Sequence, residues 1–317
     1  MEDSFFFDNG LSLHGACAGN EVANLRLLAE TFEVAIAARD GGVTISGEPE
    51  KVAEAKRFFE ELAYFHRLHG RELEQRDFEL TLRSFTGEPG GALRDLWSEK
   101  IAVSPRKREV YPRSRRQMEY VRAMRNNEIV FGLGPAGTGK TYLAMAMAVA
   151  AFLSGECSRI VLTRPAREAG ENLGFLPGNL EEKILPYLRP LYDALYDMLP
   201  AEEVSALIAR GAIEVAPLAF MRGRTLGGSF IILDEAQNTT PDQMLMFLTR
   251  MGFRSRCVIT GDPSQSDLGP GEKSGLLRAE RTLAAIPGIA FCRFGPGDVV
   301  RHRLVERIIR AFAAEED

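Results

Sequence analysis

The residues from Gly134 to Thr141 have the types and spacing that bind phosphate. They fit G-x-x-x-x-G-K-T and lie between a strand-like run and a helical run. Glycines let backbone N–H groups curl around phosphate oxygens, and the dipole of the following helix attracts the anion. The pattern predicts that Lys140 reaches the β- and γ-phosphates and that the Thr141 hydroxyl binds Mg²⁺. The predicted nucleotide-binding residues here are Gly134, Pro135, Ala136, Gly137, Thr138, Gly139, Lys140, Thr141 and Tyr142.

The same glycines fit a second phosphate-binding pattern. Gly132, Gly134 and Gly137 match G-x-G-x-x-G, the fingerprint of dinucleotide sites. Such a site requires an acidic residue at the end of the next strand, roughly 20 residues on. The next predicted strand instead ends at Thr163-Arg164. We therefore favour a mononucleotide site, and the strand and helix on either side argue against a chance glycine-rich turn.

Two carboxylates, Asp234 and Glu235, follow the apolar run Phe230–Leu233. Asp234 is predicted to hold Mg²⁺, directly or through water, and Glu235 to polarise the attacking water as a general base. The alternative is an acidic start of a helix. A phosphate loop requires an acidic partner of this kind, which favours the catalytic interpretation. Thr240–Gln243 then predicts a helix start with a capping box, which is a structural feature.

Two glutamines are further candidates. Gln265 ends the polar stretch Gly261–Gln265, which follows another buried strand. Because active crevices lie at the carboxyl ends of parallel strands, we expect Gln265 to sense the γ-phosphate as part of the catalytic set, with a capped loop as the alternative. Gln117 lies about one helix before the phosphate loop. It is predicted to pair with adenine, and a solvated helix residue is the alternative.

Arginines supply the remaining catalytic candidates. Residues Asp298 to Phe312 predict a helix, and Arg301 projects on its apolar side. A charge there requires a partner, which leaves two interpretations open. Arg301 forms an internal ion pair, or it contacts a phosphate of its own or a neighbouring copy as an arginine finger. Arg222 and Arg224 form a second candidate pair, with a solvated loop as the alternative.

These residues need a fold that brings distant segments together. From residue 113 onward, apolar runs with little polar alternation alternate with helical runs. Strands buried on both faces have this pattern, so it predicts an α/β domain whose mostly parallel sheet has helices on both faces. The predicted strands are Glu128–Leu133, Arg159–Thr163, Ile213–Pro217, Phe230–Leu233, Cys257–Thr260 and Ile289–Phe294.

The N-terminal part has a different pattern. Residues 1–66 predict a small α+β unit with the order helix, strand, strand, helix. Its elements are a helix over Glu21–Thr31, a strand over Phe32–Ala38, a turn at Asp40–Gly42, a strand over Val43–Ile45 and a helix from Pro49. Residues 67–112 are interpreted as a connector, and residues 113–317 as the α/β domain. Six of the eleven residues from Arg106 to Arg116 are Lys or Arg. That segment is either an RNA contact or a solvated linker.

Composition bounds the class of protein. The chain has 317 residues, 45% of them hydrophobic and 26% charged, with a net charge of −5. These values are typical of globular domains and exclude a disordered, fibrous or disulfide-stapled chain. The cysteines show no C-x-x-C spacing, and no signal peptide or membrane-spanning run is visible, so we expect free thiols and a cytoplasmic location. The cysteines are Cys17, Cys157, Cys257 and Cys292.

Five of these stretches together resemble the ordered motifs of superfamily 1 helicase-type ATPases. They are the stretches around Gln117 and Lys140, Thr163–Pro165, Asp234–Gln237 and Gly261–Gln265. More closely, the chain resembles the PhoH-like proteins, bacterial ATPases of the phosphate-starvation type. Three further segments carry this resemblance: Gly174–Gly178, Phe220–Leu226 and Asp298–His302.

The resemblance covers roughly residues 113–313 and implies a P-loop NTPase domain with a RecA-like parallel sheet, preceded by a small KH-like domain. It implies a Mg²⁺-dependent ATPase of helicase type that binds ATP and acts in RNA metabolism. The alternative is an ATP-gated factor that recruits an RNA-processing endoribonuclease without unwinding. A small-molecule kinase is disfavoured because Asp-Glu-Ala-Gln after an apolar strand suits attack by water. Nuclease activity is disfavoured because residues 1–66 are too short for that fold.

The resemblance also implies a hexameric ring. About 205 residues follow position 112, enough for one α/β lobe, whereas helicases of this superfamily close ATP between two lobes. We therefore expect a neighbouring copy to supply the second wall of the site, with an arginine in trans. No membrane partner is expected.

Overall fold

The computed structural model describes residues 1–8, 10–87, 92–104, 110–165, 180–269, 271–299 and 308. The chain forms two compact units, residues 1–99 with 113–115 and residues 100–112 with 116–317. Three parts of the sequence analysis fall outside the described residues: Gly174–Gly178, part of the basic segment, and Arg301 with nearly all of its predicted helix.

The first unit contains a three-stranded antiparallel sheet of order β1-β3-β2. Its elements are β1 (Glu2–Phe6), α1 (Leu13–Ala16), α2 (Glu21–Phe32), β2 (Ala35–Arg39), β3 (Gly42–Ser46), α3 (Pro49–His69), α4 (Gln75–Gly87) and α5 (Ala92–Ser98). The expected helix-strand-strand-helix order is present in α2, β2, β3 and α3. The expected start of β2 at Phe32 is wrong, because α2 continues through Phe32 and ends at Glu33 in a left-handed conformation (φ 53°).

Phenylalanine rings form the core of this unit. The Phe58 ring lies 6.0 Å from that of Phe32, 5.8 Å from that of Phe78 and 5.3 Å from that of Phe85, measured between centroids. Phe78 and Phe85 belong to α4, which the sequence analysis placed in a connector. Helices α4 and α5 are therefore part of the first compact unit, and its KH-like character stays a prediction.

The second unit is built on six parallel strands in the order β6-β5-β7-β8-β4-β9. Its strands are β4 (Ile129–Leu133), β5 (Arg159–Arg164), β6 (Ile213–Pro217), β7 (Ser229–Leu233), β8 (Arg256–Gly261) and β9 (Ile289–Arg293). Its helices are α6 (Arg115–Asn126), α7 (Lys140–Leu153), α8 (Leu180–Met198), α9 (Ala201–Ala209), α10 (Pro241–Leu248) and α11 (Gly275–Leu283). Every predicted strand is present with a shift of at most one residue at either end, so the predicted α/β class is confirmed.

Both faces of this sheet are covered by helices. Phe230 and Ile232 of β7 pack in one apolar cluster with α7, whereas Ile231 and Leu233 pack in the other with α10 and α11. Successive side chains of a strand point to opposite faces, so a strand covered on both sides is apolar throughout. This explains why these strands show no polar alternation in the sequence.

The register of the sheet brings its carboxyl ends to one edge. Leu133 of β4 pairs with Gly261 of β8, Leu233 of β7 pairs with Ile259 of β8, and Thr163 of β5 also pairs with Leu233. The segments that follow β4, β7 and β8 therefore meet at this edge. Among the described residues, none of the helices has the length and hydropathy of a membrane-spanning segment.

Candidate nucleotide-binding site

Two glycines of the loop between β4 and α7 are required by its shape. Gly134 has φ 139°, and a Cβ there would collide with the carbonyl oxygen of Phe294. Gly139 has φ 83°, and a Cβ there would lie 2.9 Å from Nε2 of Gln117. Residues with a side chain rarely adopt such φ values, which explains glycine at both positions.

Lys140, the first residue of α7, is turned toward this loop. Its ammonium donates hydrogen bonds to the carbonyl oxygens of Gly134 at 2.7 Å and Pro135 at 2.8 Å, and to Oγ1 of Thr138 at 3.3 Å. Burial lowers the pKa of Lys140, and nearby carboxylates, that of Asp262 foremost, oppose the shift. The side chain is 8% exposed, so a buried cation stands at the base of the loop.

The second residue of α7 connects the loop to the acidic strand. The Thr141 hydroxyl donates to Oδ1 of Asp234 at 2.7 Å, and that oxygen also accepts from Oγ1 of Thr260 at 2.6 Å. A hydroxyl beside one carboxylate fits Mg²⁺, which takes oxygen ligands and is commonly held by one or two carboxylates together with substrate phosphates. Within the described residues no cluster of three or more His, Cys, Asp or Glu forms a larger metal site.

Glu235 stands next to this pair in a strained backbone conformation with φ 52°. Its Oε1 lies 3.1 Å from Nη2 of Arg164, the last residue of β5. Its Oε2 accepts a hydrogen bond from Nε2 of Gln237. Both carboxylate oxygens are thus engaged, and the side chain is 37% exposed.

A pocket of about 280 Å³ gathers most of the predicted site residues. It is lined by Ala136, Gly137, Gly139, Lys140, Thr141, Tyr142, Asp234, Glu235, Gly261, Asp262 and Gln265. Gln265 is exposed at this pocket, and its N–H donates to the carbonyl oxygen of Asp262 at 3.0 Å. Segments far apart in the sequence therefore meet at the carboxyl edge of the sheet, as the motif analysis expects.

Gln117 lies behind the phosphate loop and does not line this pocket. It is 4% exposed, and its Nε2 donates to the carbonyl oxygen of Thr138 at 2.9 Å. The solvated alternative is therefore wrong for this residue. The contact gives Gln117 a part in holding the loop, and its pairing with adenine stays a prediction.

Asp262 is a pocket residue that the sequence analysis did not single out. It is 6% exposed, and its Oδ1 accepts from the N–H of Ser264 at 3.0 Å and from its hydroxyl at 2.7 Å. Its Oδ2 is buried and has no hydrogen-bond partner among the residues that the structure describes. The signal was available, because Asp262 follows a buried strand just as Asp234 does.

Of the arginine candidates, Arg224 has a partner in its own unit. Both of its terminal nitrogens donate to the carboxylate of Glu214, Nη2 at 2.7 Å, and this contact lowers the pKa of Glu214. Arg222 is exposed on the same loop. A bidentate pair of this kind fixes Arg224 in place, which argues against a role as an arginine finger.

A parallel sheet with a G-x-x-x-x-G-K-T loop against an acidic strand end defines the class of P-loop nucleotide-binding proteins. Residues 109–313 match the family model described as "PhoH-like protein", and the chain belongs to this family of P-loop ATPases. Family membership implies nucleotide binding.

The relatives show how far the similarity extends. The PhoH-like protein of Bacillus subtilis (strain 168) is 47% identical over 305 residues, which cover 96% of this chain and 94% of the relative. The PhoH-like protein of Mycobacterium tuberculosis (strain H37Rv) is 49% identical over 299 residues, 94% of this chain and 84% of the relative. Protein PhoH of Escherichia coli (strain K12) is 40% identical over 220 residues, 68% of this chain and 62% of the relative.

Similarity to the first two relatives therefore includes the N-terminal unit. Among solved structures, the Sulfolobus solfataricus SWI2/SNF2 ATPase core in complex with dsDNA gives a TM-score of 0.34 at 15% identity, over 56% of this chain and 43% of that chain. A similarity this low supports no further conclusion.

Proposed function

We propose that this protein is a Mg²⁺-dependent ATPase of helicase type that acts in RNA metabolism. The observation that carries the proposal is the 2.7 Å hydrogen bond from Thr141 to Asp234 beside the buried Lys140. It joins the phosphate loop and the acidic strand in one pocket, which is the arrangement that nucleoside triphosphate hydrolysis requires.

Each residue has a separate task in this proposal. The loop N–H groups and Lys140 bind the phosphates, and Thr141 and Asp234 hold Mg²⁺. When bound, the metal supplies positive charge that offsets the negative charge of the phosphate oxygens. Glu235 orients and polarises the attacking water, and Gln265 lies where it can sense the γ-phosphate.

The first test is ATP turnover by the purified protein, with and without RNA, together with Lys140→Ala. We expect the variant to lose measurable nucleotide binding, because it removes the cation at the base of the loop. Lys273→Ala is the matched control, since Lys273 is exposed and does not line the pocket. Retained turnover in Lys140→Ala would overturn the whole site assignment.

The RNA part of the proposal is supported by the resemblance to helicase-type ATPases, by the predicted KH-like character of the N-terminal unit and by the basic segment Arg106–Arg116. We expect the intact protein to bind RNA less tightly as salt rises, because phosphate contacts release counterions. We expect this binding to be lost when residues 1–112 are deleted, and deletion of residues 1–99, which keeps the basic segment, should weaken it. The shorter deletion preserves the second unit, because Ile101 bridges Val110 and both are buried there. Absence of RNA binding by the intact protein at low salt would contradict the proposal.

The second candidate function is an ATP-gated factor that recruits an RNA-processing endoribonuclease. The contacts of Glu235 with Arg164 and Gln237 favour it, because a general base whose oxygens are both engaged fits slow basal turnover. Duplex unwinding by the purified protein separates the two functions. ATP-dependent unwinding supports the helicase, whereas RNA-stimulated turnover without unwinding supports the recruitment factor.

We further propose that the active form is a hexameric ring. The pocket residue Tyr142 is 40% exposed, and Gln265 is exposed, so residues at the site are accessible to a neighbouring copy. Light scattering with and without a non-hydrolysable ATP analogue measures the mass of the assembly. Full turnover by a proven monomer would refute this part of the proposal.

A further inference from the structure

Asp262 has one carboxylate oxygen, Oδ2, without a hydrogen-bond donor in the part of the chain that the structure describes. Its Oδ1 is held by the N–H and hydroxyl of Ser264, whereas its Oδ2 is buried and unpartnered. A buried carboxylate oxygen left in this state is unfavourable, because nothing replaces the water that burial removed. A donor that arrives with a ligand would satisfy it.

The position of Asp262 identifies that ligand. Asp262 directly follows β8, and Thr260, near the end of that strand, contacts Asp234 at 2.6 Å. The intervening Gly261 accepts from the N–H of Gly134 at 3.1 Å. Asp262 thus lines the same pocket as Thr141 and Asp234, the residues assigned to Mg²⁺, and it is the foremost carboxylate acting on Lys140.

The charge of Asp262 restricts the ligand further. A carboxylate repels phosphate oxygens, so the donor must be a cation or water held by one. The cation of the pocket, Lys140, points its ammonium at the carbonyl oxygens of Gly134 and Pro135 and at Thr138. Mg²⁺ usually keeps several waters when it binds through one or two carboxylates and substrate phosphates.

We propose that Asp262 recognises the hydrated Mg²⁺ that accompanies the nucleotide, with Oδ2 as a hydrogen-bond acceptor in the outer shell of the ion. This assignment rests on the proposed function. Asp262 and Asp234 then have different roles, although each follows a strand at this edge of the sheet. Asp234 is assigned to hold Mg²⁺, whereas Asp262 accepts a hydrogen bond from water bound to the ion and displaces none of that water. Loss of such outer-shell partners costs roughly 10–100-fold in metal affinity.

The test is Asp262→Asn in the full chain, with a fluorescent non-hydrolysable ATP analogue titrated with Mg²⁺. We expect the apparent Kd for Mg²⁺ to rise roughly 10–100-fold, while the affinity for the analogue in EDTA stays unchanged. Asp267→Asn is the matched control, because it removes one carboxylate from the same loop. Asp267 is exposed, and its Oδ2 accepts from Asn238 at 2.9 Å, so this variant should keep the wild-type Mg²⁺ affinity.

Wild-type Mg²⁺ affinity in Asp262→Asn would overturn the assignment, whatever the effect of the variant on turnover. If Asp262→Asn fails to fold, Asp262→Ser is used in its place, since it also removes the charge and is smaller. Failure of the wild-type protein to bind the analogue at any Mg²⁺ concentration would overturn the proposed function and this assignment together. The two failures are therefore distinguishable.

Discussion

At the residue scale, the carboxylate of Glu235 is positioned by residues outside the Asp234-Glu235 pair. Its place after an apolar strand marks it as a candidate base from sequence alone. Its partners come from the end of β5 and from the short helical turn that follows β7. The left-handed backbone at this position is unusual for a residue with a side chain, and such strain is concentrated at functional sites.

We expect Glu235→Gln to keep nucleotide binding and to lower turnover by about 10²–10⁴-fold. The amide has the same shape as the carboxylate but is a far weaker base. Steady-state turnover and binding of an ATP analogue measure the two effects separately.

The control for this prediction is Glu156→Gln, since Glu156 pairs with Arg256 at 3.5 Å and does not line the pocket. Near-normal turnover in Glu235→Gln would remove Glu235 from the catalytic set. A loss of analogue binding in the same variant would show that Glu235 shapes the pocket instead.

The site could be predicted from sequence wherever the signal was local. The phosphate loop and the Asp234-Glu235 pair are contiguous motifs, and their residue types indicate the phosphate and Mg²⁺ chemistry directly. The contact of Gln117 with Thr138 depends on how α6 packs against the loop, and no short motif specifies that packing. Asp262 has the same local signal as Asp234, a carboxylate directly after a buried strand, but the burial of its Oδ2 depends on contacts that no short motif specifies.

At the element scale, the parallel strands were predictable because burial on both faces makes them apolar throughout. Strand β1 was not, because its pairing partner β3 lies far along the chain and the run Phe5–Phe7 lacks polar alternation. Helix α4 carried a usable signal. Phe78, Leu82 and Phe85 recur at helical spacing. The loop-like stretch Thr86–Gly91 nevertheless favoured the interpretation of residues 67–112 as a connector.

Helix α10 provides a test at the same scale, since its predicted capping box is confirmed. Thr240 Oγ1 accepts from the N–H of Gln243 at 3.3 Å, and the Gln243 side chain accepts from the N–H of Thr240 at 2.9 Å. We expect Thr240→Ala to lower the free energy of unfolding by about 1 kcal/mol, because N–H groups at the helix start lose their acceptor. Chemical denaturation measures the change.

Thr249→Ala is the control for the cap. Thr249 stands at the opposite end of α10, where its hydroxyl donates to the carbonyl oxygens of Leu245 and Met246 and accepts only from the side chain of Arg250, so it caps no backbone N–H group of the helix start. We expect this variant to change the free energy of unfolding by less than Thr240→Ala does. Equal losses in the two variants would show that the capping box adds nothing beyond an ordinary threonine in this helix.

At the scale of the whole molecule, the question is which arginine completes the site. Arg224 is held by Glu214, so Arg301 and Arg222 remain as the candidates. The proposed ring requires an arginine from a neighbouring copy, because the described pocket is lined by one unit alone. An arginine in trans makes each site a shared property of two chains, and that can be tested by mixing defective chains.

We expect Lys140→Ala and Arg301→Ala to be inactive separately and to regain part of the activity when mixed and reassembled. The first variant cannot bind nucleotide but still carries Arg301, and the second binds nucleotide but lacks the arginine. At a mixed interface the intact phosphate loop of one chain meets the intact Arg301 of the other. Turnover measured across mixing ratios should therefore peak at an intermediate ratio. A flat, inactive profile from chains that do form mixed assemblies would place Arg301 in its own chain's site or in an internal ion pair.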